Sequence, residues 1–141
     1  MYFDTSAIVP LLVQEPTTET CRRAWTDADR VLTSRIAFVE VAAALAMAER
    51  QQRLDATGHD KALSDFKSLW GSFDVVEISA SLARSAAGMA RDLALRGYDA
   101  VHCAAAAGLA TTEGFVAAAN DARLNAAWHE LGVAILTGDR L

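Results

Sequence analysis

Four acidic residues interrupt otherwise apolar stretches of this chain, and their types and positions could do chemistry. One follows the opening residues MYF, one is the sole charge in IAFVEVAAALAMA, one heads the helix-forming stretch AVHCAAAA, and one follows FVAAAN. Carboxylates gathered at one place repel one another unless a cation lies between them. Mg²⁺ and Mn²⁺ prefer such oxygen ligands and promote phosphodiester hydrolysis. The pattern therefore predicts a metal-dependent hydrolase whose catalytic and metal-binding residues are the same four acids: Asp4, Glu40, Asp99 and Asp121.

Predicted strands and helices alternate along the whole chain. Short β-branched or apolar runs predict strands at 1–4, 31–34, 75–78, 114–119 and 133–137. Helical periodicity and end signals predict helices at 6–13, from 16 onward, 35–53, 57–70, 79–96, from 99 onward, and 121–131. Strands connected by helices run parallel, with helices on both faces. We therefore expect one α/β domain over residues 1–141, with a five-stranded parallel sheet in three α/β/α layers.

The predicted elements bring the acids toward one edge of the sheet. Asp4 and Asp121 follow strands directly, and ligands of open parallel sheets bind beyond the carboxyl ends of the strands. Glu40 is about a turn and a half into the helix after the second strand, within side-chain reach of that edge. Asp99 lies near the start of its own helix.

Each acid also has a purely structural interpretation. Asp4, Asp99 and Asp121 stand where a helix N-cap belongs, and Asp is a favoured N-cap residue. Glu40 lies past any cap, on a helix face that the periodicity predicts to be buried together with Ile36, Val39, Ala43 and Ala44. A buried carboxylate needs a partner, and an Arg would serve for Glu40. Capping and ion pairing therefore remain open beside metal binding.

Four stretches of the sequence resemble the PIN domain and, within it, the VapC-like toxins of bacterial toxin–antitoxin pairs. The resemblance covers nearly the whole chain, and its third stretch is the most specific. Each stretch carries one of the acids; in chain order they are MYFDTSAIVPLL, SRIAFVEVAAAL, LRGYDAVHCAAA and NDARLNAAWHELGV.

This resemblance implies a sheet of order 3-2-1-4-5 and a Mg²⁺- or Mn²⁺-dependent endoribonuclease that cleaves RNA, often tRNA or rRNA. It also implies a homodimer inhibited by a small antitoxin protein. Ser6 and Asn120 are expected to support the metal ligands without binding the metal. Two residues before the fourth acid, where the family often has Thr or Ser, this chain has Ala119.

Two further functions are considered beside the ribonuclease, and the charge of the chain bears on the contact with RNA. The formal net charge of −5 argues against general nucleic-acid binding, although every basic residue except Lys61 and Lys67 is Arg, which suits local phosphate contacts. One alternative is a PIN-fold module that binds RNA or a partner without turnover. The other is a phosphoacceptor signalling domain, which would need a second acid at the first strand end and a late Lys, whereas Phe3 and Thr5 flank Asp4.

Other reactive residues are predicted to be structural. His102 could face the same way as Asp99, but a single His at this spacing is more often a partly buried neighbour than a general acid. Cys21 and Cys103 are expected to be reduced, buried thiols. No targeting or membrane-spanning segment is apparent in the sequence, so we expect a cytoplasmic protein that makes no membrane contact.

Overall fold

The computed structural model describes residues 1–136, which form a parallel sheet flanked by helices. The strands are β1 (Tyr2–Phe3), β2 (Leu32–Ser34), β3 (Asp74–Val76) and β4 (Ala117–Ala118). The helices are α1 (Thr5–Leu12), α2 (Thr18–Asp27), α3 (Ala37–Arg50), α4 (Ala56–Trp70), α5 (Ala80–Asp92), α6 (Gly97–Ala107) and α7 (Ala122–Glu130).

The sheet has the order β3-β2-β1-β4, and every pairing is parallel. The predicted α/β class and strand order are confirmed, with four strands rather than five among the described residues. The predicted fifth strand, 133–137, is reduced to a parallel bridge between Ile135 and Ala117 beside β4. Backbone hydrogen bonds from Ala117 to Ala134 and from Leu136 to Ala117 accompany it, and residue 137 lies outside the described part.

Successive residues of the central strands feed two separate cores. Phe3 packs with the apolar side chains of α1 to α4, whereas its neighbour Tyr2 packs with those of α5 to α7. Ala118 and Ala117 divide in the same way. Because adjacent side chains of a strand point to opposite faces, the sheet lies between two helical layers. This arrangement gives the three layers expected from the sequence.

The boundary between α5 and α6 differs from the prediction. We expected one helix over 79–96, ended by Gly97, but α5 ends at Asp92 and Gly97 begins α6. The break comes at Ala94, whose φ of 52° lies in the left-handed region that non-glycine residues rarely adopt. Helix propensity gave no signal for it, because alanine is the best helix former.

Two smaller expectations have structural outcomes. Cys21 and Cys103 are both free and buried, as predicted. Within residues 1–136, none of the helices combines the length and apolar composition that crossing a membrane requires.

Candidate active site

A cleft of about 500 Å³ opens at the carboxyl edge of β1 and β4, next to the first turn of α1. All four predicted acids line it, together with both residues predicted to support them. The six residues are Asp4, Glu40, Asp99, Asp121, Ser6 and Asn120. Acids separated by up to about 117 positions in the sequence therefore reach a single cavity.

Asp4 joins the end of β1 to the start of α1. It is the N-cap of α1, and its Oδ2 accepts hydrogen bonds from the Ser6 backbone N–H at 3.0 Å and the Ser6 hydroxyl at 2.5 Å. The Ser6 hydroxyl in turn accepts from the Asn120 backbone N–H at 2.8 Å. Asp4 is only 5% exposed, so this chain of hydrogen bonds fixes one of its oxygens and links it to the end of β4.

Asp121 has the capping role predicted from the sequence. Its Oδ1 accepts from the backbone N–H groups of Arg123 and Leu124, each at 2.9 Å, at the N-terminus of α7. Both bonds use the same oxygen, so Oδ2 is not engaged by either amide. Capping and metal binding therefore do not compete for one atom of this carboxylate.

Asp99 is not an N-cap, so the purely structural interpretation of this acid as a helix cap is wrong. Arg96 occupies the cap position of α6, and Asp99 lies in the first helical turn, 9% exposed. Burial raises the pKa of Asp99, and the negative charges of Asp121 and Asp4 raise it further, against the lowering effect of Arg96. The Asp99 carboxylate is therefore held among like charges, an arrangement that a cation would relieve.

Glu40 is paired, but not with the arginine considered in the sequence. Its Oε2 accepts a hydrogen bond from the Thr5 hydroxyl at 2.7 Å and another from His102 Nε2 at 2.7 Å. The prediction that this face of α3 is buried is also only partly confirmed. Glu40 itself is half-buried with its side chain 20% exposed, while Val39 beside it is 68% exposed.

His102 belongs to the site more closely than the sequence suggested. The ring is fully buried, with Nδ1 hydrogen-bonded to the Tyr2 hydroxyl at 2.8 Å and Nε2 only 3.4 Å from Asp4 Oδ1. Burial lowers the pKa of His102, but the Glu40 hydrogen bond and the surrounding carboxylates raise it by more. The expected partial burial was wrong. The three-residue spacing from Asp99 was the one sign in the sequence that His102 belongs to the site, and it could not identify Glu40 as the partner of the ring.

The donor set of the cleft fits a hard divalent cation, since its four acids offer only oxygen ligands. The burial of Asp4 and the mutual repulsion felt by Asp99 favour such an ion. Across residues 1–136, however, no three Asp, Glu, His or Cys side chains already form a group that could hold a metal. Mg²⁺ is compatible with that looser arrangement, because it usually keeps several waters and takes one or two carboxylates.

Comparisons with known proteins find relatives of this chain both by sequence and by fold. Ribonuclease VapC45 and Ribonuclease VapC49 of Mycobacterium tuberculosis are each 39% identical to this chain over 132 residues, 94% of this chain and 91% of the relative. The crystal structure of FitAcB from Neisseria gonorrhoeae superposes with a TM-score of 0.70 at 16% identity, covering 99% of both chains. The sequence profile of the PIN domain matches residues 1–129, and this chain belongs to the PIN domain family.

Proposed function

We propose that this protein is the endoribonuclease toxin of a toxin–antitoxin pair and that it hydrolyses RNA phosphodiester bonds with Mg²⁺ or Mn²⁺. The observation that carries the proposal is the meeting of four carboxylates in one cleft of a PIN fold. The 39% identity to two ribonucleases over 94% of the chain supports RNA as the substrate class.

The residues of the chain divide the work of such a site. Asp4, Glu40, Asp99 and Asp121 would hold the ion and its waters, while Ser6 and the α7 amides fix individual carboxylate oxygens. The ion would supply a more acidic water and neutralise charge on the phosphate. Asp121 caps α7 through one oxygen only, and the carboxylate is the form of an acid that binds metal.

The direct test is cleavage of purified RNA by the metal-free protein, to which Mg²⁺ or Mn²⁺ is then added. We expect cleavage with either ion, none with EDTA, and none from Asp4→Asn or Asp99→Asn. Asp92→Asn, an exposed acid at the end of α5, is the matched control and should cleave as the wild type does. If both site variants cleave as fast as the wild type, the cleft is not the active site. Expression of the wild type should slow cell growth, and Asp4→Ala should relieve it.

Pairing with a small antitoxin and homodimer formation are parts of the same proposal, and the family resemblance supports them. A target among tRNA or rRNA has the same support. A non-catalytic binding module remains the second candidate, because no ready-made metal group exists within residues 1–136. Calorimetry with Mn²⁺ separates the two, since a non-catalytic module would release no heat of binding at the cleft. The phosphoacceptor alternative loses ground, because the described lining of the cleft includes no lysine.

A further inference from the structure

His102 joins three elements of the site through one buried ring. It lies on α6 one turn after Asp99, touches Tyr2 of β1 through Nδ1, and touches Glu40 of α3 through Nε2. We propose that His102 is a positioning residue, which holds the Glu40 carboxylate in the cleft and thereby sets the affinity of the site for its metal ion. This inference rests on the proposed function, because it assumes that Glu40 serves the ion.

The direction of the hydrogen bonds follows from the donors present. Tyr2 is fully buried, and the hydroxyl of a tyrosine keeps its proton at neutral pH. When the His102 ring is neutral, the Tyr2 hydroxyl donates to Nδ1, and the ring hydrogen is therefore on Nε2. In a charged ring, both nitrogens carry hydrogens and the Tyr2 oxygen accepts from Nδ1. Nε2 therefore donates to Glu40 in either charge state.

Both strong donors to Glu40 reach the same oxygen. The Thr5 hydroxyl and His102 Nε2 each lie 2.7 Å from Oε2, so neither of them engages Oε1. Thr5 directly follows Asp4, and His102 is one turn from Asp99. Glu40, the second acid in chain order, is thus tied to the two elements that carry the first acid, Asp4, and the third, Asp99, and one of its oxygens is fixed.

Metal affinity separates this role from that of an ordinary core histidine, which would be equally buried. His102 is 0% exposed, and an unpaired polar ring there would be costly. Removing partners that orient metal ligands typically lowers metal affinity about 10- to 100-fold. A core role predicts a loss of stability alone, whereas a positioning role predicts that metal affinity follows the donor at the Nε2 position.

Two amide variants separate the two ring nitrogens. The amide nitrogen of His102→Gln reaches the Nε2 position and can still donate to Glu40. That of His102→Asn reaches only the Nδ1 position beside Tyr2. We expect Mn²⁺ calorimetry to give the Gln variant an affinity within about threefold of the wild type, and the Asn variant an affinity about tenfold lower or weaker. Urea unfolding without metal measures the stability of each variant independently.

Each outcome decides something different. If the Gln and Asn variants bind Mn²⁺ as tightly as the wild type, the positioning role is overturned and the proposed function stands. If the wild type binds no Mn²⁺, metal use and positioning both fail. Should His102→Asn not fold, Thr5→Val removes the other donor to Oε2 from a partly exposed site. An unchanged Mn²⁺ affinity in Thr5→Val would then overturn the role of donors to Oε2.

Discussion

Asp99 and Asp121 line the same cleft closely enough for the negative charge of Asp121 to raise the pKa of Asp99. Burial is the largest cause of that rise, Asp121 is the second and Asp4 the third. A carboxyl group whose pKa is higher in the folded than in the unfolded state destabilises the fold wherever it is ionised. The protein therefore keeps at this position a charge that costs stability, which is typical of functional sites.

Asp99→Asn should consequently separate stability from activity. At pH 7 without metal, the variant should have a higher free energy of unfolding than the wild type, because the ionised Asp99 is gone. RNA cleavage should fall by more than about 100-fold, beyond the loss typical of residues that only orient ligands. Urea unfolding in EDTA and an RNA cleavage assay measure the two effects.

The gain from Asp99→Asn should also depend on pH in a defined direction. It is complete above the raised folded-state pKa, shrinks as the pH falls through it, and vanishes below the unfolded value of 3.8, where Asp99 is protonated in both states. Unfolding curves between pH 7 and pH 4 should therefore converge. The matched control is Asp92→Asn, which removes one exposed carboxylate at the end of α5, outside the cleft. A variant less stable than the wild type at pH 7 would contradict the repulsion inferred at this site.

The parts of the site that follow strands could be predicted from the sequence, because strand ends and helix caps are local features. Asp4 and Asp121 each cap the helix after a central strand, where the alternation of elements placed them. Asp99 was predicted at the start of its helix, yet the start itself was misplaced. The left-handed turn at Ala94, which moves that boundary, leaves no mark in an alanine-rich sequence.

Ser6→Ala should loosen the fixed oxygen of Asp4. The variant loses the 2.5 Å hydroxyl bond to Oδ2 and the acceptor for the Asn120 amide, while the Ser6 backbone N–H still donates. We expect a stability loss of about 0.5–1.5 kcal/mol and a Mn²⁺ affinity about tenfold lower. Chemical denaturation and calorimetry give the two values.

The matched control for Ser6→Ala is Ser68→Ala. Ser68 is exposed and does not line the cleft, and its hydroxyl donates to the Ser64 carbonyl within α4, so its removal should leave Mn²⁺ affinity unchanged. Equal Mn²⁺ affinities for Ser6→Ala and the wild type would show that the hydroxyl does not orient Asp4 toward the ion.

Contacts between distant segments set the limit of the sequence-based prediction. Glu40 needed a partner, and the sequence suggested only the residue type that most often provides one. The actual donors, Thr5 and His102, lie 35 and 62 positions away and meet Glu40 only because α1, α3 and α6 converge. Periodicity within a single helix contains no information about such a convergence.

Metal binding should stabilise the folded protein measurably. An ion that binds only the folded state adds about 2.7 kcal/mol when its concentration is 100 times the dissociation constant. We therefore expect Mn²⁺ to raise the urea midpoint of the wild type, and EDTA to reverse the change. Asp99→Asn should gain much less, although it starts from a higher stability. An identical Mn²⁺ response in the two proteins would place the ion elsewhere.

Cys103 should give the fold a second, alkaline pH dependence that is independent of the cleft. Burial raises the pKa of its thiol to about 11, from an ordinary value of 9.0. Between those values the unfolded chain loses the thiol proton and the folded chain keeps it, so the free energy of unfolding must fall as the pH rises. Urea unfolding from pH 8 to pH 10.5 should show a shallower decline in the free energy of unfolding for Cys103→Ala than for the wild type.

The same burial predicts how the Cys103 thiol reacts. At pH 8 the native thiol should resist alkylation and react only in urea, because the thiolate is the reactive form. Rapid labelling of Cys103 in the native protein would contradict its burial.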